Sequence, residues 1–310
     1  MGLFDFFKKK QKEGRKSQDE KGKTEKVFYD NGNLKEEFQV NKVGEKHGLY
    51  QLYHINQQLQ VQRYYTNNVQ DDGEIISYHE DGSKAKKVTL LNGQLSGDFF
   101  EWYNNGKLKN QGNFKDGKKE GLWKYYDENG QLEREESFKD GVTDGILKTY
   151  HENGQLKSEG NIILGGNYKL YHENGELERE GNFKGGVEDG IIKEYLESGQ
   201  LKSEVNFKDG VLDGVGKTYH ENGQLKSEIN YKNGVEDDLW KIYHENGQLK
   251  EEGNCKNGKL DGINKFYYEN GQLNKEFNLK NGVRDGIQRL YDENGEVTVE
   301  VNYKEGEMQY

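Results

Sequence analysis

Proline, cysteine, alanine and long apolar runs are all scarce in this 310-residue chain. Proline is absent, and cysteine and alanine each occur once, as Cys255 and Ala85. A single alanine argues against a helical protein, since alanine is the best helix former. A single cysteine excludes a disulfide framework. No apolar run approaches the roughly 18 residues that span a bilayer. The apolar run 2–7 is too short for a signal peptide, carries a charge and precedes the basic residues instead of following them. We therefore expect a cytoplasmic protein.

Glycine, aromatic and charged residues are abundant instead. The chain has 41 Gly, 21 Tyr, 13 Phe and 3 Trp, and 33% of its residues are charged. Aromatic side chains bury large areas, so this composition favours thin, glycine-punctuated β structure over a helix bundle or a large enzyme core. The net charge is −11, and residues 1–26 carry a formal +4. The acidic remainder disfavours nucleic acid and suits cationic protein surfaces.

One phrase recurs along the chain at intervals of about 24 residues. It begins at Tyr150 as Tyr-His-Glu-Asn-Gly-Gln-Leu-Lys-Ser-Glu-Gly-Asn and returns almost unchanged from Tyr219 and Tyr243. Such self-similarity is typical of repeat architectures. With the tyrosine before each turn as a marker, twelve units fill residues 29–310. The markers are Tyr29, Tyr53, Tyr78, Tyr103, Tyr126, Tyr150, Tyr171, Tyr195, Tyr219, Tyr243, Tyr267 and Tyr291.

Each unit contains two strand signals and two tight turns. From Leu132 to Phe138, apolar positions share one parity, which is typical of a half-buried strand. The run from Leu122 to Tyr126 is the shorter signal. Asn-Gly, as at 153–154, is a strong hairpin signal because both residues tolerate positive φ, and neither connection is long enough for a parallel crossover. We therefore predict an all-β, elongated antiparallel meander of about twelve tandem 24-residue β-hairpin repeats.

The unit resembles a known repeat. Its pattern Gly-x-Leu-x-x-x-x-Asn-Phe-Lys-x-Gly-x-x-x-Gly-x-x-x-x-Tyr is similar to the MORN repeat in its bacterial variant, and Tyr-x-Glu-Asn-Gly-Gln-Leu-Lys resembles the YwqK-type family of toxin–antitoxin systems. The resemblance is strong over 103–310 and weaker over 53–103, where Asn56-Gln57 replaces Asn-Gly. It implies a MORN-like hairpin array and an antitoxin role. We accordingly divide the chain into a basic tail, 1–26, and a repeat array, 27–310, with irregular repeats over 29–102 and regular ones over 103–310.

Partner contacts are expected where the copies differ on one face of the second strand. Trp and Tyr are frequent interface anchors, and the segment 98–103 is the densest aromatic cluster. The alternative is that these side chains pack within the sheet or cap its irregular end. The predicted partner-binding residues are Trp102, Trp123, Tyr125, Tyr168, Trp240 and Phe266.

The sequence predicts a protein without catalytic residues, metal ligands or a cofactor. Six histidines follow a marker tyrosine, but neighbouring copies lie about 10 Å apart, too far to share one ion at about 2 Å. We therefore interpret them as turn residues. Cys255 occupies the position of Phe183 and Phe207, which indicates a small buried residue. Nucleophile-elbow, phosphate-loop and zinc-helix motifs are absent, so an enzyme is not expected.

The basic tail offers a second hypothesis. Its apolar residues precede a lysine run and form a short amphipathic segment that suits an anionic membrane; the alternative is a tail that docks on the first repeat. The predicted membrane-contact residues are Leu3, Phe4, Phe6, Phe7, Lys8, Lys9 and Lys10. The sequence thus predicts a non-catalytic module that binds and neutralises a protein toxin, with a membrane-tethered scaffold as the alternative.

Overall fold

The computed structural model describes residues 22–161 and 165–310. The chain divides into two compact units, Met1–Gly145 and Ile146–Tyr310, which are described separately. Every regular element among the described residues is a β-strand, and these residues contain no helix that is long and apolar enough to cross a membrane. Most of the predicted tail lies outside the described residues. The first strand begins at Thr24.

The described part of the first unit, residues 22–145, contains thirteen strands. They are β1 (Thr24–Phe28), β2 (Leu34–Val40), β3 (Lys46–Tyr53), β4 (Leu59–Thr66), β5 (Val69–Gln70), β6 (Gly73–Tyr78), β7 (Lys84–Leu91), β8 (Gln94–Leu95), β9 (Gly97–Trp102), β10 (Leu108–Lys115), β11 (Lys118–Tyr126), β12 (Leu132–Lys139) and β13 (Val142–Thr143).

The second unit contains eighteen strands in its described part. They are β14 (Leu147–Tyr150), β15 (Leu156–Gly160), β16 (Gly166–Tyr171), β17 (Leu177–Lys184), β18 (Val187–Glu188), β19 (Gly190–Tyr195), β20 (Leu201–Lys208), β21 (Val211–Leu212), β22 (Gly214–Tyr219), β23 (Leu225–Lys232), β24 (Val235–Tyr243), β25 (Leu249–Lys256), β26 (Lys259–Leu260), β27 (Gly262–Tyr267), β28 (Leu273–Lys280), β29 (Val283–Tyr291), β30 (Val297–Lys304) and β31 (Glu307–Gln309).

Strand pairing within each unit follows the order of the chain. In the first unit β9, β10, β11 and β12 pair in succession, each antiparallel to the next. In the second unit β22, β23, β24 and β25 do the same. The two-residue strands, such as β18 and β21, extend a hairpin on the preceding long strand. The predicted all-β antiparallel meander of hairpin repeats is therefore confirmed.

The two turns differ in a way that the sequence interpretation did not separate. In the Lys-Asp-Gly turn, Asp140 (φ 52°) and Gly141 (φ 84°) both adopt positive φ, as a type I′ hairpin requires. In the Asn-Gly turn only the glycine does, for example Gly154 (φ 84°). There the Asn153 carboxamide oxygen instead accepts the Gln155 N–H at 2.9 Å. The two-residue hairpin with two positive φ values thus belongs to the Lys-Asp-Gly turn.

A bulge beside each Asn-Gly turn changes the predicted faces. Glu194 pairs with Ser203, but the next pair is Tyr195 with Leu201, so the register shifts by one residue. Directly opposed residues share a face, and alternate residues along a strand point to opposite faces. Leu201 therefore lies on the Tyr195 face, whereas Val205, which pairs with Ile192, lies on the other. The prediction that the leucine shares a face with the aromatic residue six positions later was wrong.

Two of the twelve sequence markers are out of phase by one residue. β1 ends at Phe28 and β9 at Trp102, so Tyr29 and Tyr103 take the position that follows the strand, where other copies carry histidine. The Tyr29 hydroxyl donates to the Tyr53 carbonyl and the Tyr103 hydroxyl to the Tyr126 carbonyl, both at 2.8 Å. Tyrosine in these copies makes the bond that histidine makes elsewhere.

Candidate partner-binding face

One face of the second unit carries the core. Its central positions recur every 24 residues and are here called the core row: Tyr168, Ile192, Gly216, Trp240, Asn264 and Gln288. Ile192 exposes 1% of its surface and Tyr168 4%. The face that holds this row is the core face, and the opposite face is the open face.

The sizes of the core-row side chains match those of their neighbours across the strands. Tyr168 pairs with Gly181 and Trp240 with Gly253. A Cβ atom on Gly181 would overlap Ile192 Cδ1 and lie 3.0 Å from Tyr168 Cε1. The two aromatic residues of the core row therefore face glycines, so packing within the sheet accommodates their size.

The open face presents a row of large aliphatic side chains. Each occupies the position before a core-row residue, and the row runs through five consecutive repeats of the second unit. These residues, here called the aliphatic row, are Ile191 (58% exposed), Val215 (39%), Leu239 (38%), Ile263 (55%) and Ile287 (44%). Monomeric proteins seldom leave apolar side chains in such a contiguous arrangement, and exposed apolar patches often mark interaction sites.

The strand register aligns the aliphatic row. Ile191 pairs with Asn206, Val215 with Asn230 and Leu239 with Asn254; Ile263 and Ile287 pair with asparagines in the same way. Two of these asparagine side chains bond the backbone: the Asn230 carboxamide donates to the Leu239 carbonyl oxygen at 2.7 Å, and that of Asn206 donates to the Asp213 carbonyl oxygen at 2.5 Å. Asparagine is polar, so the aliphatic residue is the apolar group that each of the five pairs presents.

Charged rows flank the aliphatic row on both sides. Two residues before each aliphatic residue stands an aspartate: Asp189, Asp213, Asp237, Asp261 and Asp285. Two residues after each stands a cation: Lys193, Lys217, Lys241, Lys265 and Arg289. Each of these cations pairs across the strand with a glutamate. With five aspartates, five cations and five glutamates, the face is acidic.

Tyrosine–glutamate bonds connect successive repeats on the open face. The Tyr195 hydroxyl donates to Glu180 at 2.9 Å, and the Tyr171 hydroxyl donates to Glu159 at 2.8 Å. Burial, followed by these carboxylate acceptors, raises the pKa of each tyrosine to about 12. The neutral hydroxyl is the donor in these bonds, which therefore hold at neutral pH.

The histidines bond the backbone of the next repeat. Nε2–H of His151 donates to the Tyr171 carbonyl oxygen at 2.8 Å, and Nε2–H of His220 donates to that of Tyr243 at 3.0 Å. This is the turn role that the sequence predicted. Residues 22–161 and 165–310 contain no group of three or more His, Cys, Asp or Glu placed to hold a metal ion.

The six predicted partner-binding residues fall on both faces. Trp123, 2% exposed, packs against Phe99, Phe114 and Phe138 with ring centroids 5.2, 5.1 and 6.2 Å away. Tyr168 is equally enclosed, and its hydroxyl lies in a network with Arg179 and Glu188. The alternative that the sequence left open, packing within the sheet, describes both residues in the free chain.

The other four predicted contacts are half-buried. Tyr125 lies under Arg134, 4.1 Å from its ring centroid, and Phe266 lies under Lys275 at 4.0 Å. Trp240 belongs to the core row, and its Nε1–H has no hydrogen-bond partner. Trp102 ends β9 opposite Leu108, on the face that corresponds to the open face. Partner contact at all six positions remains a prediction.

The aliphatic row itself was not predicted as a site. The signal in the sequence is an aliphatic residue at each of 191, 215, 239, 263 and 287, with the same spacing as the structural positions. Its exposure depends on the strand bulges. The predicted membrane contacts Leu3, Phe4, Phe6, Phe7, Lys8, Lys9 and Lys10 lie outside the described residues.

Cys255 behaves as a buried residue of the core face. It exposes 7% of its surface, as the sequence predicted from its alignment with Phe183 and Phe207. Burial and the neighbouring Glu236 raise the pKa of its thiol. A protonated, enclosed thiol is a poor nucleophile.

The fold and this surface define a tandem-repeat β protein built from antiparallel hairpins. The MORN repeat variant matches ten segments that together make up more than half of the chain, and the chain belongs to this family. The matched residues are 21–42, 95–116, 119–140, 143–163, 164–184, 188–209, 212–233, 239–257, 260–281 and 284–305.

Several solved structures match most of the length of this chain at low sequence identity. They include TcdB2-TccC3-TEV (15% identity, 92% of this chain and 20% of that chain, TM-score 0.21) and TcdB2-TccC3-Cdc42 (13%, 92% and 19%, 0.20). A third is the Photorhabdus luminescens Tc holotoxin pore with a TccC3 mutation (13%, 93% and 19%, 0.20). The chain spans about a fifth of their length, and TM-scores this low support no argument. No curated protein matches the chain.

Proposed function

We propose that the chain is a non-catalytic protein-binding module whose open face in the second unit contacts its partner. The observation that carries this proposal is the aliphatic row, which stays 38–58% exposed through five repeats. Burying such side chains favours association by about 25 cal/mol per Å² of apolar surface. A free chain gains nothing from exposing them, so a partner surface accounts for their position.

We further propose that the partner is a toxin, which the chain neutralises by masking its active surface. The support is the resemblance of the Tyr-x-Glu-Asn-Gly-Gln-Leu-Lys phrase to the YwqK-type family, together with the acidic charge. A net charge of −11 accelerates association with a cationic partner. Neutralisation by direct binding needs no catalysis and no cofactor from this chain, and it takes place in the cytoplasm.

The test uses capture followed by matched variants. We expect the full chain to capture one protein stoichiometrically, and that protein to arrest growth when expressed without the chain. Replacement of Val215, Leu239 and Ile263 by serine should abolish capture and protection. The matched control replaces Val187, Val211 and Val235 by serine, because these valines are 42–46% exposed at the turns. Equal binding by both variants would refute the proposal.

The alternative function is a peripheral membrane scaffold tethered through residues 3–10. It is supported by the lysine run that follows four apolar residues. Co-sedimentation with anionic vesicles, compared between the full chain and a chain lacking residues 1–26, separates the two functions. Under our proposal the truncated chain keeps its protein partner. If the truncated chain loses both its protein partner and its binding to vesicles, the scaffold is favoured.

A further inference from the structure

The spacing of the aliphatic row restricts what can lie on it. Successive members stand on every second long strand, for example Val215 on β22 and Leu239 on β24. Strands lie about 4.8 Å apart, so the row repeats at about 9.6 Å. A ligand that uses the row must present apolar groups at nearly this interval, in a line perpendicular to the strands.

An α-helix meets this requirement. Residues seven apart lie on one face of a helix and about 10.5 Å apart along its axis. Over three repeats the accumulated difference from the row is about 2 Å, which side chains can absorb. An extended strand does not fit, because its same-face positions repeat at about 6.6 Å. A polyproline helix repeats at about 9.3 Å, so the period alone does not exclude it.

The width of the face separates these two ligands. The aspartate and cation rows stand four residues apart along the chain, as Asp237 and Lys241 do in β24, and four residues of extended chain span about 13 Å. An α-helix with its side chains is about 10–12 Å across. It fills this width and brings its flanking residues to both charged rows. A polyproline strand is narrower and usually binds in an aromatic groove, whereas this row is aliphatic.

The charges on the two flanks determine which side of a bound helix carries basic residues. On the cation side, each cation lies directly opposite a glutamate, and Arg289 bonds Glu276 at 2.8 Å and Glu300 at 2.7 Å, so that row carries carboxylates of its own. On the other side, Asp237 and Asp261 accept backbone N–H groups from the next turn at 3.0 and 2.9 Å. These bonds orient the carboxylates and leave their formal charge. A complementary ligand therefore carries Lys or Arg toward the aspartate row.

We propose that the open face of the second unit binds a cationic amphipathic α-helix of its protein partner. The helix lies across the strands, with aliphatic residues at seven-residue spacing on Val215, Leu239 and Ile263 and with Lys or Arg beside the aspartates. This inference rests on the proposed function and specifies the partner element that the face recognises.

Binding of designed peptides to the full chain tests the inference. The helical probe has leucine at seven-residue spacing with a lysine flank over three heptads. One control has the same composition in scrambled order, and another is a proline-rich peptide with an apolar residue at every third position. We expect the helical probe to bind at least about tenfold tighter than either control. Equal binding of the scrambled peptide, or tighter binding of the proline-rich peptide, would overturn the inference.

Variants of the chain locate the site. Serine at Val215, Leu239 and Ile263 should weaken binding of the helical probe about tenfold or more, whereas serine at Val187, Val211 and Val235 should change it less than about twofold. Asparagine at Asp213, Asp237 and Asp261 should weaken it severalfold and flatten its salt dependence. Unchanged binding in the first variant would overturn the inference, as would row-dependent binding of the full chain to anionic vesicles without peptide.

These outcomes are separable from failure of the proposed function. If a captured partner loses binding in the aliphatic-row variant but the helical probe does not bind, the inference is wrong and the protein-binding face stands. If substitutions in the aliphatic row leave partner binding unchanged, the proposed function itself is wrong.

Discussion

Replacement of Gly181 by alanine tests the packing of the core face. The new Cβ atom would overlap Ile192 Cδ1 and lie 3.0 Å from Tyr168 Cε1 and 3.1 Å from its hydroxyl. Ile192 and Tyr168 are 1% and 4% exposed, so neither can move into solvent. Overpacking of a closed core typically costs about 1–3 kcal/mol, and we expect a destabilisation in this range.

A second substitution removes the overlapping atom. Ile192→Val deletes Cδ1 and alone costs about 0.5–1.5 kcal/mol. In the double variant the valine gives the new methyl group space, so the combined loss should be smaller than the sum of the two single losses. The matched control is Ile191→Val, which deletes the same atom from the adjacent residue on the open face, 58% exposed. It should not relieve Gly181→Ala.

Native-state amide exchange of β17 and β19 measures these effects locally. This assay is needed because repeat arrays often do not unfold in a two-state manner. The expected result is a coupling free energy of about 0.5 kcal/mol or more for Gly181→Ala with Ile192→Val and additivity with Ile191→Val. Additivity in both pairs, or full protection in Gly181→Ala, would refute the packing argument.

The remaining predictions concern a buried amide and the tyrosine ladder. Asn264 is 0% exposed and its Oδ1 lacks a hydrogen-bond partner, while Nδ2–H donates to Gly262 O at 3.1 Å. Because an unsatisfied buried polar atom costs about 1–3 kcal/mol, Asn264→Leu should increase the native-state amide protection of β27, and decreased protection would contradict this. Burial and Glu180 raise the pKa of Tyr195 to about 12, above the ordinary value of about 10. The folded state therefore keeps the Tyr195 proton to higher pH than the unfolded state does. The stabilisation that the protonated Tyr195 hydroxyl contributes to the folded state is complete below about pH 10 and is lost between about pH 10 and 12. Tyrosinate absorbance of the Glu180→Gln variant should show Tyr195 titrating at lower pH, and an unchanged curve would contradict the assignment.

The repeat, the strand type and the meander followed from the sequence because they rest on local signals. Turn residues and period-two patterns recur in copy after copy, so errors in single units do not accumulate. The phase at Tyr29 and Tyr103 was missed because a tyrosine serves both as the last strand residue and as the residue after it. Only the hydrogen bonds of these hydroxyls to the next repeat distinguish the two positions.

The faces were harder to predict, for a physical reason. The bulge at Tyr195 and Leu201 inserts one residue, and a shift of one residue exchanges the two faces of a strand. Without the bulge, the pattern predicts an exposed face for the varied side chains at Trp123 and Tyr168. With it, they fill the core beside glycines, and the residue before each of them is exposed. The turn role of the histidines depended on no face and was predicted.

Photocross-linking from two positions of β24 tests the central claim most directly. Leu239 and Val235 lie four residues apart in this strand and are 38% and 46% exposed. A photoreactive residue is placed at one or the other position, and the captured partner is added. The account predicts an adduct from position 239 and none from position 235. An adduct from position 235 alone, or none from position 239 while the partner is bound, would contradict the assignment of the aliphatic row as the binding surface.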